Sequence, residues 1–321
     1  MIYFLCTATH AATNDHSLKQ LDTDQTIRQL YHNLNSKPIS NLSQRIILIS
    51  AQFIGTPYEL SPLGESTQDQ YDQFPLYRTD AFDCVTFVET VLALTLATNP
   101  KEFKQYMNQI RYKNGHVSFI DRNHFPDLDW NKNNQIQGIV RDITKTFKNT
   151  QHQPVFKLAE AYIDKRAWYQ HFFPEKIRMQ KANPIEQKKR LKKLKQLGKQ
   201  LKGQMSLLPY IPLSVLFDKN GQANMSLFNQ IPDATIIEIV RPNWDVTQKI
   251  GTHMNISHIG FAIWKNNTLF FRAANSEYSR VTDIPLVDYL RNTLKSPTIK
   301  GINVQIVLPK SNNRTTNVLK S

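Results

Sequence analysis

Apolar positions in the first third of the chain recur at helical spacing. Ile27, Leu30, Tyr31 and Leu34 fall on one face of a segment from Asp22 to Leu34. The stretch 41–54 is apolar at its centre, and Gly55 and Pro57 follow it in the order that stops a helix. A polar, turn-rich loop over 58–80 leads to a third helix, for which Asp83 is a fitting N-cap and Val85, Val88, Val91, Leu92 and Leu96 the expected buried side. Pro100 at a first helical position predicts a helix through Ile110, and 151–168 also reads as helical. Past Tyr210 the period shortens to two. Runs at 235–240, 258–264 and 268–274 predict strands, the last two joined by a tight turn at Asn266-Asn267. Pro285 opens a helix through Leu294, and 301–308 reads as a final strand. Helices followed by adjacent strands argue for an α+β fold, not a parallel βαβ sheet.

With 321 residues, 40% hydrophobic and 21% charged, the chain has the make-up of a globular protein with a sizeable core. No apolar run approaches the roughly 20 residues of a bilayer crossing. The start, Met1 to Ala12, is short and apolar and ends in small residues, as an export leader would, though it lacks a basic flank. Residues 1–20 are therefore expected to be a leader or a disordered end, and 310–321 a disordered tail, with the protein periplasmic or secreted.

The net charge of +14 changes this picture only locally. Between Lys176 and Lys202 stand eleven Lys or Arg residues and one acid, Glu186, so that window alone carries +10. Leu191, Leu194, Leu197 and Leu201 recur through it at helical spacing, which predicts an amphipathic basic helix as an insertion over 175–205. Its lysines from Lys188 to Lys202 could meet an anionic wall polymer or a membrane surface. They could equally form a solvated face while the leucines cover core. No zinc-finger spacing, RRM motif or phosphate loop accompanies them, so nucleic acid is not an expected partner.

Cys84 opens the third helix and is the one cysteine outside the N-terminal stretch that holds Cys6. A thiol at a helix N-terminus sits where backbone N–H groups and the helix dipole favour a thiolate. The bland alternative is a small buried hydrophobe. Among nine histidines, His258 stands out because it begins a predicted strand and is followed, after Ile259, by Gly260, so its ring can face a cleft. A cysteine on a helix N-terminus followed far downstream by a strand histidine is the chain order of papain-like thiol hydrolases.

Four segments carry a resemblance. They are 55–58 (Gly-Thr-Pro-Tyr), 82–90 (Phe-Asp-Cys-Val-Thr-Phe-Val-Glu-Thr), 121–125 (Asp-Arg-Asn-His-Phe) with Asp129-Trp130, and 257–261 (Ser-His-Ile-Gly-Phe). Together they resemble the N-acetylmuramoyl-L-alanine amidase-like branch of the NlpC-type cell-wall cysteine hydrolases. The resemblance implies a papain-like hydrolase over 21–309, its nucleophile helix packed on a small antiparallel sheet or barrel. It implies Cys84 as nucleophile and His258 as general base, with Tyr58 and Asp83 lining the cleft and Arg122, Asn123 and His124 in the substrate-binding region. The substrate would be peptidoglycan or its muropeptides, cut at the lactyl amide to L-alanine or within the stem, with no metal or other cofactor.

The chain departs from that pattern at one telling place. The strand after the histidine usually carries a polar residue, commonly another histidine, that orients the base; here Ala273 stands there. Asn275, two residues on and facing the same way, could substitute, although its reach differs by about 7 Å. A weakened or inactive binder of wall fragments is the alternative this leaves. His116, His124, Asp127 and Asp129 offer a rival metal set, but at no standard spacing.

Overall fold

Amphipathic helices at the start of the chain need an apolar partner, and the strands of the last third supply it. The computed structural model describes residues 15–35, 39 and 41–309. The longer helices are α1 (Asp15–Asn35), α2 (Leu42–Ala51), α3 (Cys84–Leu96), α4 (Pro100–Arg111), α5 (Asn131–Ile136), α6 (Lys165–Gln170) and α7 (Pro184–Gly198). Single turns α8 (Leu213–Leu216), α9 (Met225–Phe228) and α10 (Thr247–Ile250) precede α11 (Leu286–Thr293). The strands are β1 (Val140–Asp142), β2 (Lys157–Ile163), β3 (Gln204–Pro212), β4 (Thr235–Asp245), β5 (His253–Lys265), β6 (Thr268–Asn275), β7 (Arg280–Pro285) and β8 (Gly301–Val307). They pair antiparallel in the order β2-β3-β8-β4-β5-β6-β7, with β1 also on β8. The fold is α+β.

Alternation along β4 and β5 divides the core. Ile236, Ile259, Phe261 and Ile263 face the layer of α1 to α4. Ile237, Ile239 and Ala262 face the other way, against Phe271 of β6 and Leu286 and Leu290 of α11. α3 lies deepest: every residue from Thr86 to Leu96 is buried. The expected one-sided burial of α3 is thus too narrow, because helices flank it on two sides and the sheet lies beneath. Val85 alone of the named set is only half-buried.

Residues 15–20 are helical as the first part of α1, and the rest of the expected leader and the 310–321 tail lie outside the described residues. Two further expectations are corrected. The region 151–168 holds β2 and the start of α6, not one helix. Ala159, Ala161 and Ile163 point inward and Leu158, Glu160 and Tyr162 outward, a period of two. β5 begins at His253, which puts His258 inside the strand. The Asn266-Asn267 turn does form, with φ of 46° and 62°, the pair of left-handed residues a two-residue hairpin needs.

The basic segment folds as α7 and is not a detachable appendage. Leu191 and Leu194 are buried and Leu197 and Leu201 pack beside them in an aromatic cluster with Phe119, Trp168, Tyr169 and Phe172. Truncating Leu194 to alanine would cost about 2–5 kcal/mol by the usual cavity penalty.

Candidate active site

The N-terminus of α3 is fixed by a reciprocal cap. Asp83 Oδ1 accepts from the Thr86 N–H at 2.8 Å, and the Thr86 hydroxyl accepts from the Asp83 N–H at 3.0 Å. Asp83 Oδ2 also accepts from the Ser61 N–H at 3.0 Å. Both carboxylate oxygens are thereby engaged within the protein, so Asp83 braces the cleft. Phe82 binds the preceding loop, its N–H to Pro57 O at 3.0 Å and its carbonyl to the Glu59 N–H at 3.0 Å. This bridge sets Tyr58, half-buried, beside the turn that carries Cys84.

Cys84 is half-buried at the first position of α3. Burial pushes its thiol up to about 12, and the neighbouring Asp83 charge adds to the rise. The backbone N–H groups of Ile259, Val85 and Cys84 itself pull the other way by hydrogen bonding to the sulfur. Of the two resting states the sequence leaves open, this balance favours the neutral thiol, since three amides and the helix end do not offset the loss of water. The Ile259 contact matters more for location. It binds the sulfur to the residue that directly follows His258.

His258 is also half-buried, and burial lowers its imidazole to about 4, so the ring is neutral at physiological pH. Its ring meets Phe271 edge-on at 5.4 Å and Tyr289 of α11 at 6.4 Å. Tyr289 in turn lies within electrostatic range of the Cys84 sulfur; burial raises its hydroxyl pKa and Cys84 adds to the rise. Thiol, imidazole and phenol thus share one neighbourhood. Tyr289 has no distinguishing signal in sequence beyond being an aromatic on an amphipathic helix. Gly260 lets Phe271 lie across β5, since a Cβ there would come within 2.7 Å of that ring and 2.8 Å of Ala273 Cβ.

The orienting group is missing. His258 Nε2 is buried with no hydrogen-bond partner among the described residues. Asn275 does not supply one: its Oδ1 accepts from the Glu277 N–H at 2.8 Å, which turns the amide to its own loop. The expectation that Asn275 completes a triad is corrected on that ground.

Arg122, Asn123 and His124 form a separate group in which protein atoms already occupy the polar side chains. Arg122 binds Glu65 at 2.5 Å and Asp72 at 2.8 Å, and Arg178 clasps the same Asp72. Asn123 donates to Ile110 O at 2.9 Å. His124 Nε2 lies 2.7 Å from Phe119 O, between the rings of Phe119 and Trp168. Burial first, and then the Arg122 charge, hold its pKa well below the ordinary value. These bonds give the three a scaffold role: Arg122 ties the loop 58–80 to its own segment, Asn123 ties that segment to the end of α4, and His124 closes it on Phe119. The rival metal set does not converge either. His116 binds Asp121, Asp129 pairs with Lys165, and Asp127 accepts from Ser206 and the Asn255 N–H.

Solved structures share this fold. A Bacteroides uniformis N-acetylmuramoyl-L-alanine amidase is 20% identical and superposes with a TM-score of 0.56 over 83% of this chain and 99% of that one. A second structure of a B. uniformis amidase gives 21% identity and a TM-score of 0.55 over 82% and 98%. At that identity the likeness speaks for the fold alone. Protein LPG0564 from Legionella pneumophila, of the DUF1460 family, is 49% identical with a TM-score of 0.89, covering 92% of this chain and 97% of that one. The AmiA-like family model, described as N-acetylmuramoyl-L-alanine amidase-like, matches residues 48–299, and the chain belongs to that family. No curated protein matches the chain.

Proposed function

We propose that this protein hydrolyses an amide of the peptidoglycan stem peptide, with Cys84 as nucleophile and His258 as general base, in a papain-like, NlpC-type arrangement. The observation that carries this reading is that Tyr289 packs its ring 6.4 Å from that of His258 and lies within electrostatic range of the Cys84 sulfur, which stands at a capped helix end and also meets the backbone of Ile259. Both groups rest uncharged. As the sulfur attacks the amide carbonyl, its proton passes to the imidazole, and N–H groups at the α3 N-terminus meet the developing oxyanion. The imidazolium then gives that proton to the departing amine as the C–N bond breaks. Water, deprotonated by the same imidazole, hydrolyses the thioester. A periplasmic or extracellular site of action follows from the substrate.

The lysine-rich face of α7 would hold such an enzyme on an anionic wall or membrane surface. Lys188, Lys192, Lys195 and Lys199 line one shallow groove of about 340 Å³. A second reading is favoured by the buried, unpartnered Nε2 of His258 and by the raised thiol: a slow or inactive protein that binds wall fragments. Digestion of defined muropeptides with mass analysis separates the two. A hydrolase yields either free muramoyl lactate plus L-alanine-led peptide or a shortened stem. Intact muropeptides after prolonged incubation would leave the binder.

A further inference from the structure

No polar group of the described residues holds the ring of His258 through its Nε2. That nitrogen is buried without a hydrogen-bond partner, and Asn275 turns its oxygen to the Glu277 N–H. The Cβ–Cγ torsion of a histidine is broad and roughly two-fold, so something outside the ring has to choose its orientation. Two aromatic rings take that place. Phe271 of β6 meets the imidazole edge-on at 5.4 Å and 82°, and Tyr289 of α11 meets it at 6.4 Å and 39°. Phe271 and Tyr289 also touch each other at 5.1 Å, so the three rings close a triangle. All three separations lie in the range of roughly 4.5–7 Å over which aromatic pairs attract.

Each ring is set from behind. A Cβ on Gly260 would come within 2.7 Å of Phe271 Cε2, so the bare glycine lets that ring lie along β5. Leu286 and Leu290, both fully buried, fasten α11 to the same cluster as Phe271, and Tyr289 follows Leu286 by three residues on the same side of the helix. Tyr289 lies within electrostatic range of the Cys84 sulfur as well.

We infer, resting on the reading of the protein as a thiol hydrolase, that Tyr289 is the positioning residue of the base. With Phe271 its ring closes on the imidazole and fixes the direction in which it serves Cys84, as a hydrogen-bonding third residue does in a triad. The surroundings let this be measured. Burial is the sole cause that lowers the imidazole to about 4. The titratable groups near it are the Cys84 thiol on α3 and the Tyr289 phenol itself, β4 offers only Ile239 opposite, and Arg241 and Glu277 act on Tyr289. The His258 midpoint therefore reports how well the triangle excludes water.

The test follows His258 by NMR titration, its signals assigned against His258→Gln, in unsubstituted, Tyr289→Ala and Tyr289→Phe protein. Opening the triangle admits water, so Tyr289→Ala should raise the midpoint by about one pH unit or more, from about 4 towards the ordinary 6.5. On defined muropeptides kcat should fall about 10–100-fold with KM little changed, and the acid limb of the rate should move up with the midpoint. Tyr289→Phe restores the ring without the hydroxyl and should recover most of both losses. Should the alanine variant melt early, Tyr289→Met keeps bulk over the core without a ring and carries the same comparison. A midpoint that stays near 4 in Tyr289→Ala, or a phenylalanine variant as slow as the alanine one, overturns the inference. The titration needs no substrate. A raised midpoint with no digestion by the unsubstituted protein sinks the hydrolase reading alone, and digestion that Tyr289→Ala leaves unchanged sinks the positioning role alone.

Discussion

Two polar constellations flank α3, and they differ in what their hydrogen bonds are used for. Around Arg122, each of the three motif side chains finds a partner within the protein: Glu65, Asp72, Ile110 O and Phe119 O. Around His258 the imidazole is buried on one nitrogen with nothing to bind, and the nearby thiol has only amides for company. A buried polar atom left without a partner costs about 1–3 kcal/mol. In the reading proposed above the chemistry lies in the second cluster. An unpartnered buried atom does not by itself mark a site, since Glu65 Oε2 and Glu238 Oε1 are others. What separates the two clusters is that the Arg122 motif spends its side chains on protein partners and His258 keeps an imidazole nitrogen out of any such bond.

Variants can break that contrast. The largest expected effect is His258→Ala, which should slow stem-peptide release by about 10²–10⁴-fold while leaving thermal stability at or above the parent's. Rate assays beside a melting curve check both halves. Arg122→Ala should do the reverse. It strands Glu65 as a buried acid, leaves Asp72 to Arg178 alone, and costs about 3–5 kcal/mol of stability, read by chemical denaturation. Ala273→Asn sharpens the contrast by offering an amide on the strand beside His258. A several-fold rise in turnover is expected, at a cost of about 1–3 kcal/mol for the added bulk against Gly260. No gain in turnover would mean that orientation of the ring is not limiting.

Titration gives a smaller but distinctive signature. With His258 lowered to about 4, the imidazole stays a competent base as pH falls through the ordinary histidine range, and activity should fall away only near pH 4. With the thiol raised to about 12, iodoacetamide should label Cys84 slowly at neutral pH and faster as the solution becomes strongly alkaline. Rapid labelling at pH 7 would show that the sulfur rests as a thiolate. The smallest effect belongs to α7. Exchanging Lys188, Lys192, Lys195 and Lys199 for glutamine should weaken sacculus binding at low salt and flatten its salt dependence, without unfolding the protein. Deleting the helix would not test this, because Leu191 and Leu194 would leave the core with it.

Much of the helical layer was legible because its signals are local. Asn41, Asp83 and Asn99 cap α2, α3 and α4, and Pro100 starts α4 where its fixed φ suits the first turn. The strands β4 to β6 announced themselves by period two and by the Asn-Asn turn. What failed depended on distant partners. Residues 157–163 contain good helix formers, and only pairing with residues 204–210 of β3 makes them a strand. Arg178 sits in a run of lysines that reads as solvated, yet its partner Asp72 lies 106 positions away. Asn275 has the right chemistry and facing for a triad, and a two-residue turn to Glu277 takes its oxygen first. Tyr289 reaches the site through the packing of α11 on β6, which no spacing in the sequence encodes.

The pairing of sulfur and imidazole is tested most directly by incubating purified sacculi with unsubstituted and Cys84→Ala protein at equal folded concentration and measuring released stem peptide. Release by the first and none above background by the second is the result predicted here. Equal release by both would contradict it, since the amide would then be cut without that thiol.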